Sequence, residues 1–539
     1  MGLDRRHFNQ LALAFAAATS VGPVSATQAP HPTLAYGPAE PFSFDALIAR
    51  ANALAQQPYT PPPRPDPALV QKIDYDAHGK LRFNTDAALW ADGPSTYPVT
   101  FQHVGRYFPK TVKMHAVAHQ KAREILYNPS YFMGGPDHVA AQLPAQPSAF
   151  AGFWVQEDRF KSAWDPGRRQ HKNWKQREPW ATFLGASYFR AVGELGQVGL
   201  SARGIALAPG TAQPEEFPDF THFWFEPARH ASDPVIVSAL LDGPSLTGAY
   251  RFELRRTKGV VMEIQAHLML RKPVERLGLA PLTSMFWYGE ARKPEGIDWR
   301  PEVHDSDGLA IWTGQGERIW RPLNNPISAK ISSFLDHNPR GFGLMQRDRQ
   351  VDHYLDGVLY HKRPSTWVEP LGSWGKGAVQ LTELPTDDEI HDNIVAMWVP
   401  DEPTRAGQRL DLAYRLHWLA DEPYPSALAR CVATRIGRGG QPGHPRPAGV
   451  RKFAVEFLGG SLAKLPFGTL PEAHMSASRG TVSPVLMEAL PNDVAGHWRA
   501  IFDLTVTGTD PVELRCILKN GSTLLSETWL YPVSYTHLR

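Results

Sequence analysis

Two acidic clusters set among aromatic residues carry the side chains best suited to chemistry. The first is His304-Asp305-Ser306-Asp307, followed by Ile311-Trp312 and by Trp320-Arg321-Pro322-Leu323-Asn324-Asn325. The second is Asp387-Asp388-Glu389-Ile390-His391-Asp392-Asn393, followed by Met397-Trp398. Between them run Tyr360-His361-Lys362-Arg363, Trp367-Val368-Glu369 and Trp374-Gly375-Lys376. Carboxylates among aromatics suit sugar chemistry. Glycoside cleavage needs one carboxylic acid to protonate the leaving oxygen and a second group to activate water or act as nucleophile. Aromatic faces pack on the C–H faces of pyranose rings, while Arg, Asn and Asp satisfy the hydroxyls. By type and position Trp312, Trp320, Tyr360, Arg363, Trp367 and Glu369 are substrate-binding candidates, although any of the tryptophans is equally suited to a core. Either acidic cluster alone also reads as a solvated turn, and spacing does not show that the two meet.

Other chemistries lack their residues. There is no His-Glu-x-x-His zinc motif, no Walker loop and no Gly-x-Gly-x-x-Gly after a strand. Gly243-Pro244-Ser245-Leu246-Thr247-Gly248 misplaces the second glycine of a nucleophile elbow. His115 and His119 have the i, i+4 spacing of a helical metal pair, but no third ligand accompanies them, and helix-surface histidines are the plainer reading. No cofactor site is evident and no metal is expected.

The elements that must position these residues read as strands. Hydrophobic residues make up 42% and charged residues 20% of the 539, the balance of a folded protein. The 44 glycines and 49 prolines are too much punctuation for a helical bundle. Short apolar runs recur between turns, such as Phe220–Phe225, Val235–Leu241, Ala249–Leu254 and Val260–Leu270. That grammar predicts a large antiparallel β assembly over residues 41–398. Helices are expected at 41–56, capped by Ser43, at 115–127 and at 326–335. Pro61, Pro62, Pro63, Pro65 and Pro67 mark an extended linker. A second break at Val399–Gly407 introduces about 130 residues of the same grammar, the size of an immunoglobulin-like sandwich over 408–535.

The chain opens with Arg5-Arg6, an alanine-rich apolar stretch from Leu11 to Val21 and a small-x-small site ending at Ala26. Residues 1–26 therefore read as a twin-arginine export signal, and the mature protein is expected in the bacterial periplasm. Cys431 and Cys516 lie in strand-like stretches; two separate buried thiols are expected, with a bridge as the alternative. A net charge of +2 provides no polyelectrolyte attraction, so nucleic acid is not the expected partner. Residues 158–180 are locally basic and rich in Trp, which suits either a solvated loop or a cover over a binding cleft.

Phe183-Leu-Gly-Ala-Ser-Tyr-Phe-Arg190, Glu216-Phe-Pro-Asp-Phe-Thr221, His304-Asp-Ser-Asp307, Arg321-Pro-Leu-Asn-Asn-Pro326, Arg363-Pro-Ser-Thr-Trp-Val-Glu-Pro370, Asp392-Asn-Ile-Val395 and Glu527-Thr-Trp-Leu-Tyr531 occur in that order. With them the chain resembles the periplasmic glucan biosynthesis proteins of the G and D type, and the twin-arginine leader tilts the resemblance toward D. The resemblance implies an N-terminal β-sandwich with a long cleft, a C-terminal immunoglobulin-like domain and a β-1,2-linked glucan as ligand. Some members resemble inverting β-1,2-glucanases. In those, a residue matching Asp392 is the general acid, one matching Asp305 is the general base, and one matching Glu389 assists. The resemblance leaves hydrolysis and transglycosylation both open. The alternatives are a non-catalytic glucan-binding protein that guides the backbone and a module that docks on a membrane-bound glucan synthase. The 158–180 segment looks longer than the family's usual connection; if it covers the cleft it would exclude water and favour transfer.

Overall fold

The computed structural model describes residues 33–533 apart from 136, 166–169, 294, 295, 297, 467, 492 and 493. The leader expected at 1–26 lies outside the described residues. Strands Leu246–Arg256 and Val260–Leu270 show how the sheets form. Their side chains alternate between buried and half-exposed, so one face of each strand enters a core. They pair antiparallel from Leu246 opposite Leu270 to Arg256 opposite Val260. Around this pair a 16-stranded sheet extends in both directions. One direction runs through Val235–Asp242, Asp219–Glu226, Lys113–Ala118 and Lys121–Leu126 to Ala35–Pro41. The other runs through Arg409–Leu419, Ser365–Pro370, Gly341–Met345, Gly308–Trp312 and Arg318–Pro322.

A 10-stranded sheet packs against the first half of the large one. Its order is Lys330–His337, Lys376–Glu383, Ile394–Pro400, Leu277–Ser284, Ser201–Arg203, Tyr188–Ala191, Ala181–Leu184, Phe150–Val155 and Val99–His103, and the tenth strand, Ile205–Leu207, also pairs with Leu277–Ser284. Between the sheets the Phe153, Phe183 and Phe189 rings stack at 4.7 and 5.1 Å, and Phe223 and Phe252 meet them edge-on. Such pairs each contribute about 0.5–1.5 kcal/mol beyond burial. The helix Phe44–Ala55 forms as its Ser43 cap indicates, with Ser43 Oγ accepting from the Ala46 N–H, and it buries Leu47 and Ala51 against the large sheet.

The C-terminal strands build a second sandwich. Arg430–Arg438, Val450–Leu458 and His497–Thr505 form one sheet. The facing layer, Thr528–Val533, Val512–Asn520 and Glu472–Ala477, continues the large sheet through a parallel pairing of Ile319 with Thr528 and Trp320 with Trp529. Phe453, Phe502, Trp529, Tyr531 and both cysteines fill the space between. Cys431 and Cys516 are free thiols, and burial pushes both upward in pKa. The strand Arg409–Leu419 pairs with Val260–Leu270 and Ser365–Pro370, so the expected break at 399–407 is the crossing from the 10-stranded sheet, which holds Ile394–Pro400, to the large one, and this strand works with the N-terminal sandwich.

Two expected helices are strands. Residues 113–126 form a hairpin turned at His119 and Gln120, whose φ values of 50° and 59° suit a tight hairpin turn rather than a helix. The apolar spacing of Met114, Val117, Ala122 and Ile125 imitates a helix only because the turn resets the alternation. His115 instead stacks on Trp224 at 4.8 Å, with its Nδ1 at 3.1 Å from the Phe223 carbonyl. Residues 330–337 form an edge strand, with Ile331, Ser333 and Leu335 on its outer face. In the 158–180 segment, Ala163–Asp165 pairs with Gln170–Lys172 as a short hairpin, while Trp174 and Trp180 turn into the main core.

Arg347 and Glu527 join the two sandwiches. Both are more than nine-tenths buried, with Nη1 and Nη2 at 2.6 and 3.1 Å from the carboxylate oxygens. The carboxylate also accepts the Cys431 N–H, and the guanidinium lies 3.6 Å from the Trp320 ring centre. Glu527→Gln leaves Arg347 without its counter-charge and is expected to cost about 3–5 kcal/mol in urea unfolding. A cost under about 1 kcal/mol, the size of an exposed pair, would show that this contact does not secure the junction.

Candidate active site

The two acidic clusters reach the same stretch of backbone. Strand Leu277–Ser284 ends at Met285, and the short strand Phe286–Tyr288 pairs with Val303–His304. The Asp305 N–H donates to the Met285 carbonyl at 2.9 Å. From the other cluster, Asn393 clamps Phe286: its Oδ1 accepts the Phe286 N–H at 2.8 Å and its Nδ2 donates to the Phe286 carbonyl at 2.9 Å. Asp305 and Asp392 are thus referenced to consecutive residues of one segment, although 87 positions separate them in the chain (392 − 305). Ser284 and Ser306 add a hydroxyl contact at 2.9 Å.

Asp305 is fully buried, and Arg363 Nε stands 3.5 Å from its Oδ1. Arg363 is also buried; its Nη1 donates to the Val198 carbonyl, and its guanidinium lies 5.2 Å from the Tyr360 ring centre. Burial pulls the Arg363 pKa down from its ordinary value. Tyr360 Oη donates to Glu389 Oε2 at 2.6 Å, and the same oxygen accepts from Arg300 Nη1 at 2.8 Å. Arg300 also holds Asp356 at 3.0 Å and Asp298 at 2.9 Å. The Arg300 hydrogen bonds hold Asp298 down to about 2. Asp305, Arg363, Tyr360, Glu389 and Arg300 therefore form one chain of contacts.

Asp392 is half-buried on the other side of this segment. Its charge acts on Arg203 and Tyr188. Arg203 pairs with Glu215 and covers the Tyr188 ring at 4.7 Å. Burial lowers the Arg203 pKa, but Tyr188, Glu215 and Asp392 outweigh it and leave the cation favoured. An open cavity of about 640 Å³ lies next to the second cluster, lined by Trp287, Tyr288, Arg292, Asn325, Thr386 and Asp387. Its aromatic and amide lining is of the kind that receives a sugar.

The remaining candidates lie elsewhere. Trp320 and Trp367 are buried in the core of the C-terminal sandwich, under Arg347 and over Gly341 and Gly343 respectively. Trp312 is half-buried, with the Arg318 and Arg340 guanidiniums 3.8 and 5.2 Å from its ring centre. Glu369 pairs on the sheet with Arg415 at 3.0 Å and His417 at 2.9 Å. Burial would raise the Glu369 pKa, but the His417 and Tyr424 hydrogen bonds and Arg415 hold it below the ordinary value. Sequence reasoning missed Arg300, Asp356, Arg203 and Trp287. The Phe286-Trp287-Tyr288 run was a visible aromatic signal; the others carried none.

Next to Asp305 in the chain is a histidine held among carboxylates. His304 is buried, with Nε2 2.9 Å from Glu302 Oε2 and Nδ1 3.1 Å from Gln346 Oε1. Burial lowers its pKa, but the Glu302 hydrogen bond with the Asp307, Glu302 and Asp348 charges overrides this and raises it to about 9. Both ring nitrogens then donate. Glu302, Asp348 and His353 bring donor atoms within 4.8 Å of one another. Glu302 already accepts from His304, and His353 Nδ1 pairs with Asp348.

A raised folded-state pKa stabilises the protein below the unfolded value and stops doing so as pH rises past the folded value. The His304 contribution is therefore present at pH 6 and is lost between about 6.5 and 9. The thermal midpoint of the wild type is expected to fall across that interval, and Glu302→Gln should flatten the fall while costing about 1.5–3 kcal/mol at pH 6. An equal slope in both proteins would show that another group titrates.

The sequence matches the family described as "Periplasmic glucan biosynthesis protein, MdoG" over residues 42–533. It is 60% identical over 497 residues to "Glucans biosynthesis protein D 2" of Ralstonia nicotianae, covering 92% of this chain and 91% of that protein. It is 46% identical over 499 residues to "Glucans biosynthesis protein D" of Stenotrophomonas maltophilia, covering 92% and 90%. It is 44% identical over 501 residues to the protein of the same name from Xanthomonas campestris pv. campestris, covering 92% and 91%. With the mainly β architecture and the ordered motifs in place, the chain belongs to the periplasmic glucan biosynthesis protein family.

Proposed function

We propose that this protein acts on the β-1,2-linked backbone of a periplasmic glucan by inverting cleavage or transfer, with Asp392 as general acid and Asp305 as general base. The observation that carries the proposal is the shared anchoring of Asp305 and Asn393 on Met285 and Phe286. It supports two carboxylates acting on one substrate from different sides, as inversion requires. Asp392 is the more accessible of the two, which suits direct protonation of a glycosidic oxygen. Asp305 is sealed from solvent, so as a base it would draw its proton through an intervening water or sugar hydroxyl. Tyr360 and Arg300 both donate to Glu389, and Tyr360 lies beside Arg363, the residue that faces Asp305. The Arg5-Arg6 leader supports export of the folded protein to the periplasm.

A second reading is favoured by the same burial of Asp305: a non-catalytic protein that binds the glucan backbone and guides it, alone or beside a membrane-bound synthase. Linear β-1,2-glucan incubated with the mature protein separates the two. Under the proposal, product sizes change, and Asp392→Asn and Asp305→Asn each slow the change at least about 10²-fold, the usual scale for loss of an acid–base group. New reducing ends would identify hydrolysis, and altered sizes without them would identify transfer. Unchanged glucan with retained binding in wild type and Asp392→Asn would overturn the enzyme reading in favour of the binding one.

A further inference from the structure

The strand Lys330–His337 ends the 10-stranded sheet. It pairs with Lys376–Glu383 along its whole length, from Lys330 opposite Glu383 to His337 opposite Lys376, without a bulge. No strand among the described residues pairs with its other side. Ile331, Ser333, Leu335 and His337 share the exposed face; Leu335 is 84% exposed, and Ile327 just upstream is 68% exposed. Sheet edges are usually kept short or bulged, or carry a proline or a central lysine, because their free N–H and C=O groups recruit another chain. This edge is 8 residues long and has no bulge, proline or central lysine over 331–335; only its end is covered, where Asp336 accepts the Gly314 and His337 N–H groups and the Gly314 loop lies against His337.

The edge is also complementary to itself. Run antiparallel to its own copy about Ser333, Ile331 faces Leu335 twice, Lys330 faces Asp336 twice, Ser332 faces Phe334, and Ser333 faces Ser333. Opposed side chains project from the same face, so the exposed Ile331 and Leu335 of each copy cover one another and the charge pairs fall on the opposite face. A slip of one residue sets Ile331 against Asp336 and Lys330 against His337, losing both the apolar and the charged matches. Asp336 already accepts from the Gly314 N–H at 2.9 Å, and a carboxylate has room for a further cation.

We propose that a second copy of this chain docks on this strand, joining the two 10-stranded sheets across a two-fold axis at Ser333. The partner is this chain because one register satisfies both the apolar and the charged positions.

Light scattering on the mature protein across the micromolar range tests the mass, which is expected to be twice that of one chain. Ile331→Lys combined with Leu335→Lys should halve it. Both side chains are surface residues, so an unchanged circular dichroism spectrum separates lost association from lost folding. Ser333→Cys provides a positive test: at the two-fold axis its thiol meets its own copy at a separation a disulfide can span. Oxidised glutathione should then cross-link it, each bridge taking two thiols to one disulfide with reduction of the glutathione. The same treatment of Ser332→Cys, which faces Phe334, should not cross-link it. Cys431 and Cys516 are buried and remain silent. A wild type that stays monomeric, a doubly substituted variant that remains dimeric, or equal cross-linking of the two cysteine variants would overturn the proposal.

Discussion

The candidate site depends on charge compensation among largely buried side chains at the end of strand Leu277–Ser284. A lone buried carboxylate costs several kcal/mol, so each acid buried there must meet a cation or donors. Asp305 has Arg363, Glu389 has Arg300 and Tyr360, Glu302 has His304, and Glu383 has Arg321 at 2.6 Å. Glu527 and Arg347 repeat the arrangement at the junction with the second sandwich. Stability alone does not account for so many ion pairs, because well-packed apolar residues of the same volume hold a fold as well or better. Ion pairs do fix side-chain direction. Arg300 restrains Glu389 and Asp356 together, and Glu389 in turn accepts the Tyr360 hydroxyl.

The clamp by Asn393 explains why the second acidic cluster belongs to this site. Asp387–Asp392 lies in irregular chain between strands Lys376–Glu383 and Ile394–Pro400. Such a turn on an exposed edge would be a solvated turn and nothing more. Asn393 commits three polar contacts to Phe286 and Leu384 and so returns the turn to the end of strand Leu277–Ser284. The neighbouring Asp392 is held in place by this clamp on Asn393, and its charge acts on Arg203 and Tyr188. The two halves of the site thus have different characters: a dry, ion-paired one around Asp305 and a more open one around Asp392.

Much of this was legible in the sequence, for physical reasons that differ by element. Runs such as Val260–Leu270 and Leu246–Arg256 are long and alternate, and period-2 burial identifies a strand without tertiary context. The Ser43 cap and Leu47/Ala51 spacing identified the first helix in the same local way. Residues 113–126 misled because a two-residue turn at His119-Gln120 resets the alternation and leaves a false helical period. The edge strand at 330–337 misled because half of its side chains face solvent, so no continuous apolar stripe announces it. The placement of Arg409–Leu419 was invisible for another reason. The Pro-rich break before it is a real turn, yet the strand that follows returns to the first sandwich, and only pairing with Val260–Leu270 reveals this. Within the site, residue type singled out the two acidic clusters, Tyr360 and Arg363, and only the family resemblance picked Asp305, Glu389 and Asp392 out of those clusters. It could not separate Trp320 and Trp367, which are core, from Trp287, which lines a cavity. A tryptophan's role is decided by which side of a strand it occupies and by what closes over it.

The continuous large sheet limits how this molecule can open to a polymer. In many two-part proteins a cleft opens by rotation about a linker. Here the second sandwich is an extension of the same sheet, through Ile319–Thr528 and Trp320–Trp529, and Tyr531 Oη donates to Asn324 Oδ1 at 2.8 Å across the junction. Rotation would break backbone pairing and expose the Arg347–Glu527 pair together, which a packed interior resists. Access to a buried Asp305 must therefore come from the irregular segments that carry Arg300, Tyr360 and Glu389, whose contacts are side-chain contacts and can exchange with sugar hydroxyls. A glucan hydroxyl that replaced Tyr360 at Glu389 would loosen Tyr360 from its place beside Arg363, the residue that faces Asp305. On the proposed function, substrate binding and exposure of Asp305 become one event, because Tyr360 and Arg363, which pack beside Asp305, are linked through Glu389 to the groups a sugar would engage.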